Sequence, residues 1–391
     1  MADFRKFFSV IAGLLITPVF LTGAGTSAAN FLKVGVGGRN IAMGEVGAAI
    51  SEDVNAIFWN PAALKTLSSK EMSFGYARWF EDISWQHLAF AMPVELPNVK
   101  FLTSFAGKET LALSLFQSSV PGIEGYTAGD QKTKTFKTSF LNFNAGYAWE
   151  VFSSENAKKG KFSNLYSGIL FKYIQEDLHF YKASAYAADV GIYWENLNKN
   201  REGFKSGLVF QNLGTKMKFV KEADPLPSTS RLGLGYRKYI SGLPVTVSAD
   251  FNFPNDNEFY FSTGGEIVFA NILFFRLGWK GGQDIGSGLR AGFGLKMVDF
   301  SLDYAWSNFG DLSLTHRISM NYRFEGRKFL VVEDVSAQKQ HHWEKGTQFY
   351  EAGRYEEAVI EFNAVLELEP AHTEAFRMMK QAYEKMTEKN K

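Results

Sequence analysis

The sequence predicts an all-β transmembrane barrel of about fourteen antiparallel strands, followed by a small all-α domain. Three observations lead there. The segment Ile318-Ser319-Met320-Asn321-Tyr322-Arg323-Phe324 alternates apolar and polar residues with a strict period of two. One face of such a strand is greasy and the other wet, as a wall with lipid outside and a polar lumen inside requires. Runs of the same kind recur from residue 70 to residue 324, each about 9–12 residues or longer, the length a tilted membrane strand needs. Their polar parity carries charge, including Asp189, Asp250, Arg290, Lys296, Asp303, Arg317 and Arg323. A soluble sandwich with one dry face is the competing reading, but a dry core does not tolerate unpaired charges.

Taken in chain order, the first element is an export signal. Arg5 and Lys6 precede an apolar run from Phe7 to Leu21 that is short for a bilayer span and is interrupted by Pro18. Small residues follow, and cleavage after Ala24 or after Ala28 satisfies the small-residue rule. Residues 1–24 are therefore expected to be removed, with 28 as the latest boundary. Export together with a barrel pattern points to the outer membrane of a diderm bacterium.

Residues 25–69 are Gly-rich and weakly periodic. They contain Gly35-Val36-Gly37-Gly38-Arg39, then Gly44, and Asn60-Pro61-Ala62-Ala63-Leu64. The glycines permit positive φ or close backbone approach, and Asn60-Pro61 breaks the chain and pre-sets a turn or helix start. Arg39 is a candidate partner for a lumen carboxylate. These residues read first as architecture and second as direct ligand contacts.

Fourteen strands are expected at 70–79, 84–93, 109–118, 138–152, 162–177, 180–196, 204–213, 230–240, 244–254, 258–269, 271–281, 286–297, 298–308 and 313–324. An even number puts both barrel ends on the periplasmic side. The segments 119–137 and 214–229 then become the long outer loops, and 241–243, 270 and 297–298 tight periplasmic turns. Six inward charges are candidates for lumen chemistry: Asp189, Asp250, Arg290, Asp303, Arg317 and Arg323. Ile318, Met320, Tyr322 and the terminal aromatic Phe324 resemble the assembly signal that closes bacterial outer-membrane barrels. Outer-membrane lipid and the barrel-assembly machinery are the partners this implies.

After Phe324 the period changes. Residues 325–338 are charged and read as a linker, and 339–391 as a helical domain. Gly346, Gly353, Tyr355, Ala358, Phe362 and Pro370 fall at the spacings of one tetratricopeptide repeat. Helices are expected at about 340–352 and 355–368, with a capping helix from Thr373. Val365 stands where a small residue is usual, and Trp343 is shifted by one. One repeat is below the usual minimum, so a periplasmic protein partner for this domain is expected.

The composition excludes much chemistry. A net charge of +1 suggests no nucleic-acid partner, and the absence of cysteine removes disulfides, thiol nucleophiles and Cys-based metal sites. Aromatics at 16% and 36 glycines suit a barrel with aromatic girdles. Gly35-x-Gly37 lacks the third glycine of a dinucleotide loop, since Asn40 stands there. His341 and His342 are adjacent and do not face one site. His87, His179 and His316 fall near outer strand ends without a Ser or Asp partner at a telling spacing. No catalytic residue, metal or cofactor is expected.

The blocks Ala24–Gly44 and Ser51-Glu52-Asp53-Val54-Asn55-Ala56-Ile57-Phe58-Trp59-Asn60-Pro61-Ala62-Ala63-Leu64 resemble the opening of PorV/PorQ-type proteins, which look like distant relatives of the FadL channels. Ala63 stands where the pattern usually has Gly. The resemblance implies a fourteen-stranded, FadL-like barrel with residues 25–69 folded inside as a plug. It also implies a role in type IX protein secretion, where the barrel receives the C-terminal signal of exported cargo. FadL-like uptake of long-chain fatty acids or other hydrophobic molecules is the alternative, and a purely structural outer-membrane protein is the third reading.

Overall fold

The computed structural model describes residues 27–79, 83–94, 109–156, 161–283, 285–324, 330–369 and 372–389. The expected signal, residues 1–24, lies outside the described residues, as does Pro370. The chain divides into two compact units, Met1–Glu325 and Gly326–Lys391.

The first unit is a closed antiparallel barrel of fourteen strands. In chain order they are β1 (Glu71–Arg78), β2 (Ser84–Val94), β3 (Glu109–Tyr126), β4 (Lys132–Asn156), β5 (Lys161–Asp177), β6 (Lys182–Asn198) and β7 (Gly203–Gly214). A separate two-stranded ribbon, β8 (Met217–Lys218) and β9 (Ala223–Asp224), follows. The wall resumes with β10 (Thr229–Ile240), β11 (Leu243–Pro254), β12 (Tyr260–Phe269), β13 (Leu273–Lys280), β14 (Leu289–Lys296), β15 (Phe300–Asn308) and β16 (Leu314–Arg323). The seam pairs the first strand with the last, from Glu71↔Arg323 to Arg78↔His316. Closure leaves no unpaired edge, which a backbone in hydrocarbon cannot carry.

The period of two sorts the side chains as the sequence predicts. On β16, Thr315, Arg317, Ser319 and Asn321 are buried inside, while Leu314, Ile318, Met320 and Tyr322 point out. Phe171, Phe204 and Leu277 on other strands are 60%, 62% and 59% exposed on that outer face. Apolar surface left in water costs about 25 cal/mol per Å². A belt of such side chains around a closed wall is stable only against lipid.

The structure corrects one outer loop. Residues 119–137 were expected to be irregular, yet the β3–β4 ladder continues to Tyr126↔Lys132. Only residues 127–131 turn, with Thr127 N–H bonded to the Gln131 carbonyl at 2.9 Å. A bulge at Pro121-Gly122 carries the ladder on. The register slips between Val120 and Ile123, with Gly122 at φ 73°. The segment 215–228 is a loop around the β8–β9 ribbon.

Within unit 1, residues 27–69 lie inside the wall as short helical turns. These include α1 (Gly38–Ala42), α2 (Ala56–Trp59) and 3-10 turns at Asn30–Lys33 and Pro61–Thr66. Pro61 opens the last of these, and the Asn60 side chain caps it by accepting from Ala62 N–H.

Unit 2 consists of α3 (Leu330–Glu351), α4 (Tyr355–Leu368) and α5 (Thr373–Lys389). α3 begins earlier than the expected 340, inside the segment read as linker. No Gly or Pro stands between Leu330 and Trp343 to stop it. Gly353, at φ 71°, makes the turn into α4, and Tyr355 packs edge-on to Tyr350. Ala358, Phe362 and Ala382 form the core, flanked by Trp343 and Phe349. A Cβ on Gly346 would overlap the Phe362 ring, so this glycine sets the α3–α4 approach.

Removal of residues 326–391 is expected to leave a barrel that still inserts and still shifts in mobility on heating in SDS gels. Loss of heat-modifiable material would show that unit 2 is needed for barrel folding. Phe324→Asp is expected to lower outer-membrane levels several-fold on quantitative immunoblots, because the exposed aromatic at the seam is lost.

Candidate functional site

The site is the barrel interior, built where the N-terminal segment meets the wall. Its charges are paired across that contact. Arg39 on α1 forks onto Glu266 of β12, with Nε donating to Oε2 at 3.0 Å and Nη2 to Oε1 at 2.9 Å. Arg276 of β13 donates to the same carboxylate at 2.7 Å and to Asp303 of β15 at 2.6 Å. Two cations and two anions thus form one buried chain, with the bidentate geometry that suits guanidinium to carboxylate. The third Arg39 nitrogen donates to the Ile50 carbonyl at 2.8 Å.

Three more carboxylates tie the same contact. Glu52 meets Arg237 at 2.7 Å and also Lys205. Glu45 meets Lys280 at 2.6 Å and Arg290 at 2.9 Å. Asp250 of β11 accepts from the backbone N–H groups of Gly47 and Ala48 at 2.8 and 3.0 Å, with Arg231 at 3.7 Å. Burial alone would raise the Glu45 and Glu52 carboxyls. The cations beside them win, holding Glu45 at about 2 and Glu52 well below the usual range. Both are therefore ionised anchors.

Glycines let the backbones meet. A Cβ on Gly44 (φ 80°) would overlap the backbone of Thr263 and Trp279, and one on Gly278 would overlap Gly44 itself. Asn60 donates to the Ala48 and Ile192 carbonyls at 2.8 and 3.1 Å. Pro61 lies against Gly168 and Gly191, where a Cβ would collide. Gly37 takes φ 85°, and Gly35 packs under Ile41.

All six inward charges named from sequence point into the lumen, with different partners. Asp303 joins the Arg39 chain and Asp250 holds the Gly47-Ala48 turn. Arg323 donates to Glu71 at 2.6 Å across the seam, and Glu71 also accepts from Val54 N–H at 3.1 Å. Asp189 pairs with Lys172 within the wall at 2.7 Å and accepts from Asn212 N–H, where the β6–β7 register slips. Arg290 reaches Glu45. Arg317 donates to Ser307 Oγ at 3.2 Å. His87, three residues from the outer end of β2, faces inward and is buried, edge-on to Phe58 at 5.4 Å.

Sequence reasoning missed Glu45, Glu52, Lys205, Glu266, Arg276 and Lys280. Glu266 and Arg276 occupy the polar parity of their strands, so counting every charge of that parity would have found them. Glu45 and Glu52 sit in the aperiodic segment, where no pattern marks them.

Between the segment and the wall lies a cavity of about 170 Å³. Phe31, Phe58, Trp59 and Phe116 give it an aromatic side, and Lys172, Arg231 and Lys280 a cationic one. Among the described residues no cluster of His, Asp or Glu could hold a metal.

Arg39→Met is expected to lower stability in urea unfolding by about 3–5 kcal/mol, because it breaks a buried pair while Glu266 stays inside. A change under about 1 kcal/mol would mean the fork does not carry the contact. Gly278→Val is expected to expel the Gly44 turn, read as new trypsin cleavage within residues 39–52.

The model of the PorV family, type IX secretion system protein PorV, matches residues 22–252. That span covers the N-terminal segment and the wall through most of β11. No curated protein sequence matches the chain. Among solved structures the chain is similar to the CymD monoaromatic hydrocarbon channel, at 12% identity and a TM-score of 0.49, covering 75% of this chain and 98% of that one. It is also similar to the Ralstonia pickettii toluene transporter TbuX, at 12% and 0.45 over 74% and 99%. A Pseudomonas aeruginosa FadL homologue matches at 10% and 0.40 over 77% and 100%. The matched residues contain the segment and the anchors Arg39, Glu45, Glu52 and Asp250, and the chain belongs to the PorV family of type IX secretion system proteins.

Proposed function

We propose that this protein is a non-enzymatic outer-membrane component of type IX secretion that receives exported cargo at its outer rim. The family match carries this reading, and the interior supports it. Residues 27–69 act as a plug. They are held by the Arg39–Glu266 fork, by Glu45 and Glu52, and by the backbone bonds to Asp250. Each anchor is buried, so the closed state is the resting state, and work at the rim needs no open pore. The long β3–β4 hairpin, on the side opposite the seam termini, extends that rim.

The helical unit is a single tetratricopeptide-like repeat with a capping helix. It follows Arg323, at the end of the barrel with the short turns, which is the periplasmic end by the usual asymmetry of such barrels. A periplasmic protein of the secretion machinery is its partner.

Hydrophobic uptake is the second reading, favoured by the aromatic side of the cavity. Its size limits the ligand. An apolar cavity of roughly 150 Å³ takes one benzene ring. A volume of about 170 Å³ therefore suits a ring-sized molecule and not a long acyl chain.

The test is mass spectrometry on the full-length protein extracted gently from its native membrane. Stoichiometric secretion components or exported cargo are expected. A stoichiometric small apolar ligand without such proteins would overturn the secretion reading in favour of uptake.

A further inference from the structure

We propose that the inward faces of β14, β15 and β16 form a buried site for a small inorganic oxyanion of the phosphate or sulfate class. The secretion reading uses only Arg290 among them, through one nitrogen bonded to Glu45. Arg290, Ser307 and Thr315 are direct cross-strand partners in consecutive ladders, Arg290↔Ser307 and Ser307↔Thr315. Paired neighbours therefore have Cβ atoms about 4.5–5.5 Å apart on one face, and Arg290 and Thr315, two strands apart, are separated by roughly 10 Å. Arg317, two residues beyond Thr315, joins them through its bond to Ser307.

These groups are almost sealed. Arg290, Thr315 and Arg317 are 1%, 2% and 3% exposed. Yet, among the described residues, Arg290 Nε and Nη1, Arg317 Nε and Thr315 Oγ1 find no hydrogen-bond partner. The unmatched atoms are three N–H donors and one hydroxyl. A guanidinium accepts nothing and repels a cation, whereas an oxyanion accepts from all four atoms.

Charge points the same way. Lys280 and Arg290 share one carboxylate, Glu45. Arg317 makes no salt bridge to a described carboxylate. Its neighbours are Ser307 and the rings of Trp79 and Trp85, each 5.8 Å away. Three cations thus face one anion, and unlike Lys205 and Arg237, which both bond Glu52, Arg317 bonds no described carboxylate. Unpaired buried charge is costly, and a bound oxyanion offsets it. Planar guanidiniums from two strands suit a multi-oxygen anion better than a halide. β14 to β16 are the last strands before the seam, so the anion is enclosed as the barrel closes.

The test uses full-length protein in detergent, prepared without phosphate or sulfate. The unfolding midpoint is followed against inorganic phosphate at constant ionic strength, balanced with gluconate. A saturable rise of roughly 2–4 °C is expected, as for a ligand that binds only the folded state. Arg317→Met should abolish it. Should that variant fail to assemble, Thr315→Val removes one donor with little change of shape and should raise the half-maximal phosphate concentration about tenfold. No phosphate-specific rise, or an equal response in Thr315→Val, overturns the site. A crystal soaked in selenate should show an anomalous peak between Arg290 and Arg317, and ordered water alone there would equally overturn it.

Discussion

Everything in the barrel depends on neutralising charge inside a closed wall. A strand with period two must put its polar parity somewhere, and lipid outside leaves only the lumen. Here the lumen is filled by the chain itself. Inward cations of β7, β10, β13 and β14 and the Glu266 carboxylate of β12 pair with charges on the N-terminal segment, and the segment needs the wall. Arg39 with Glu266, Glu45 with Lys280 and Arg290, and Glu52 with Lys205 and Arg237 are the same solution used three times. Such pairs contribute little net stability against an apolar replacement, but losing one member is expensive. They act as registers that hold the segment in a single seat.

Close approach depends on the other inward residues being small. Gly168, Gly191, Gly207, Gly264 and Gly278 leave the wall bare where the segment touches it. The charges can then meet at hydrogen-bond distance without widening the barrel. A large glycine count, readable at first only as a β-barrel trait, has this specific use.

The helical unit shows a different economy. It is held by Phe362 and its ring of aromatic and aliphatic neighbours, with Gly346 setting the helix approach. Three helices around so small a core bury little surface for their length.

Much was legible in the sequence alone. Strand number, parity and the inward direction of Asp189, Asp250, Arg290, Asp303, Arg317 and Arg323 followed from a period of two, which is local and survives any long-range arrangement. The change of period after Phe324 marked the helical unit for the same reason. Only the tertiary structure decided which charge meets which. Arg39 and Glu266 lie far apart in the chain, and their pairing depends on where an aperiodic segment comes to rest inside a closed sheet. It also continued the β3–β4 ladder through part of the loop expected at 119–137, since a twisted hairpin absorbs one extra residue at Pro121-Gly122 without ending its ladder. It turned His87, three residues into β2, inward against Phe58. Periodicity describes one strand at a time, whereas closure sets the distances between strands, and the site is made of those distances.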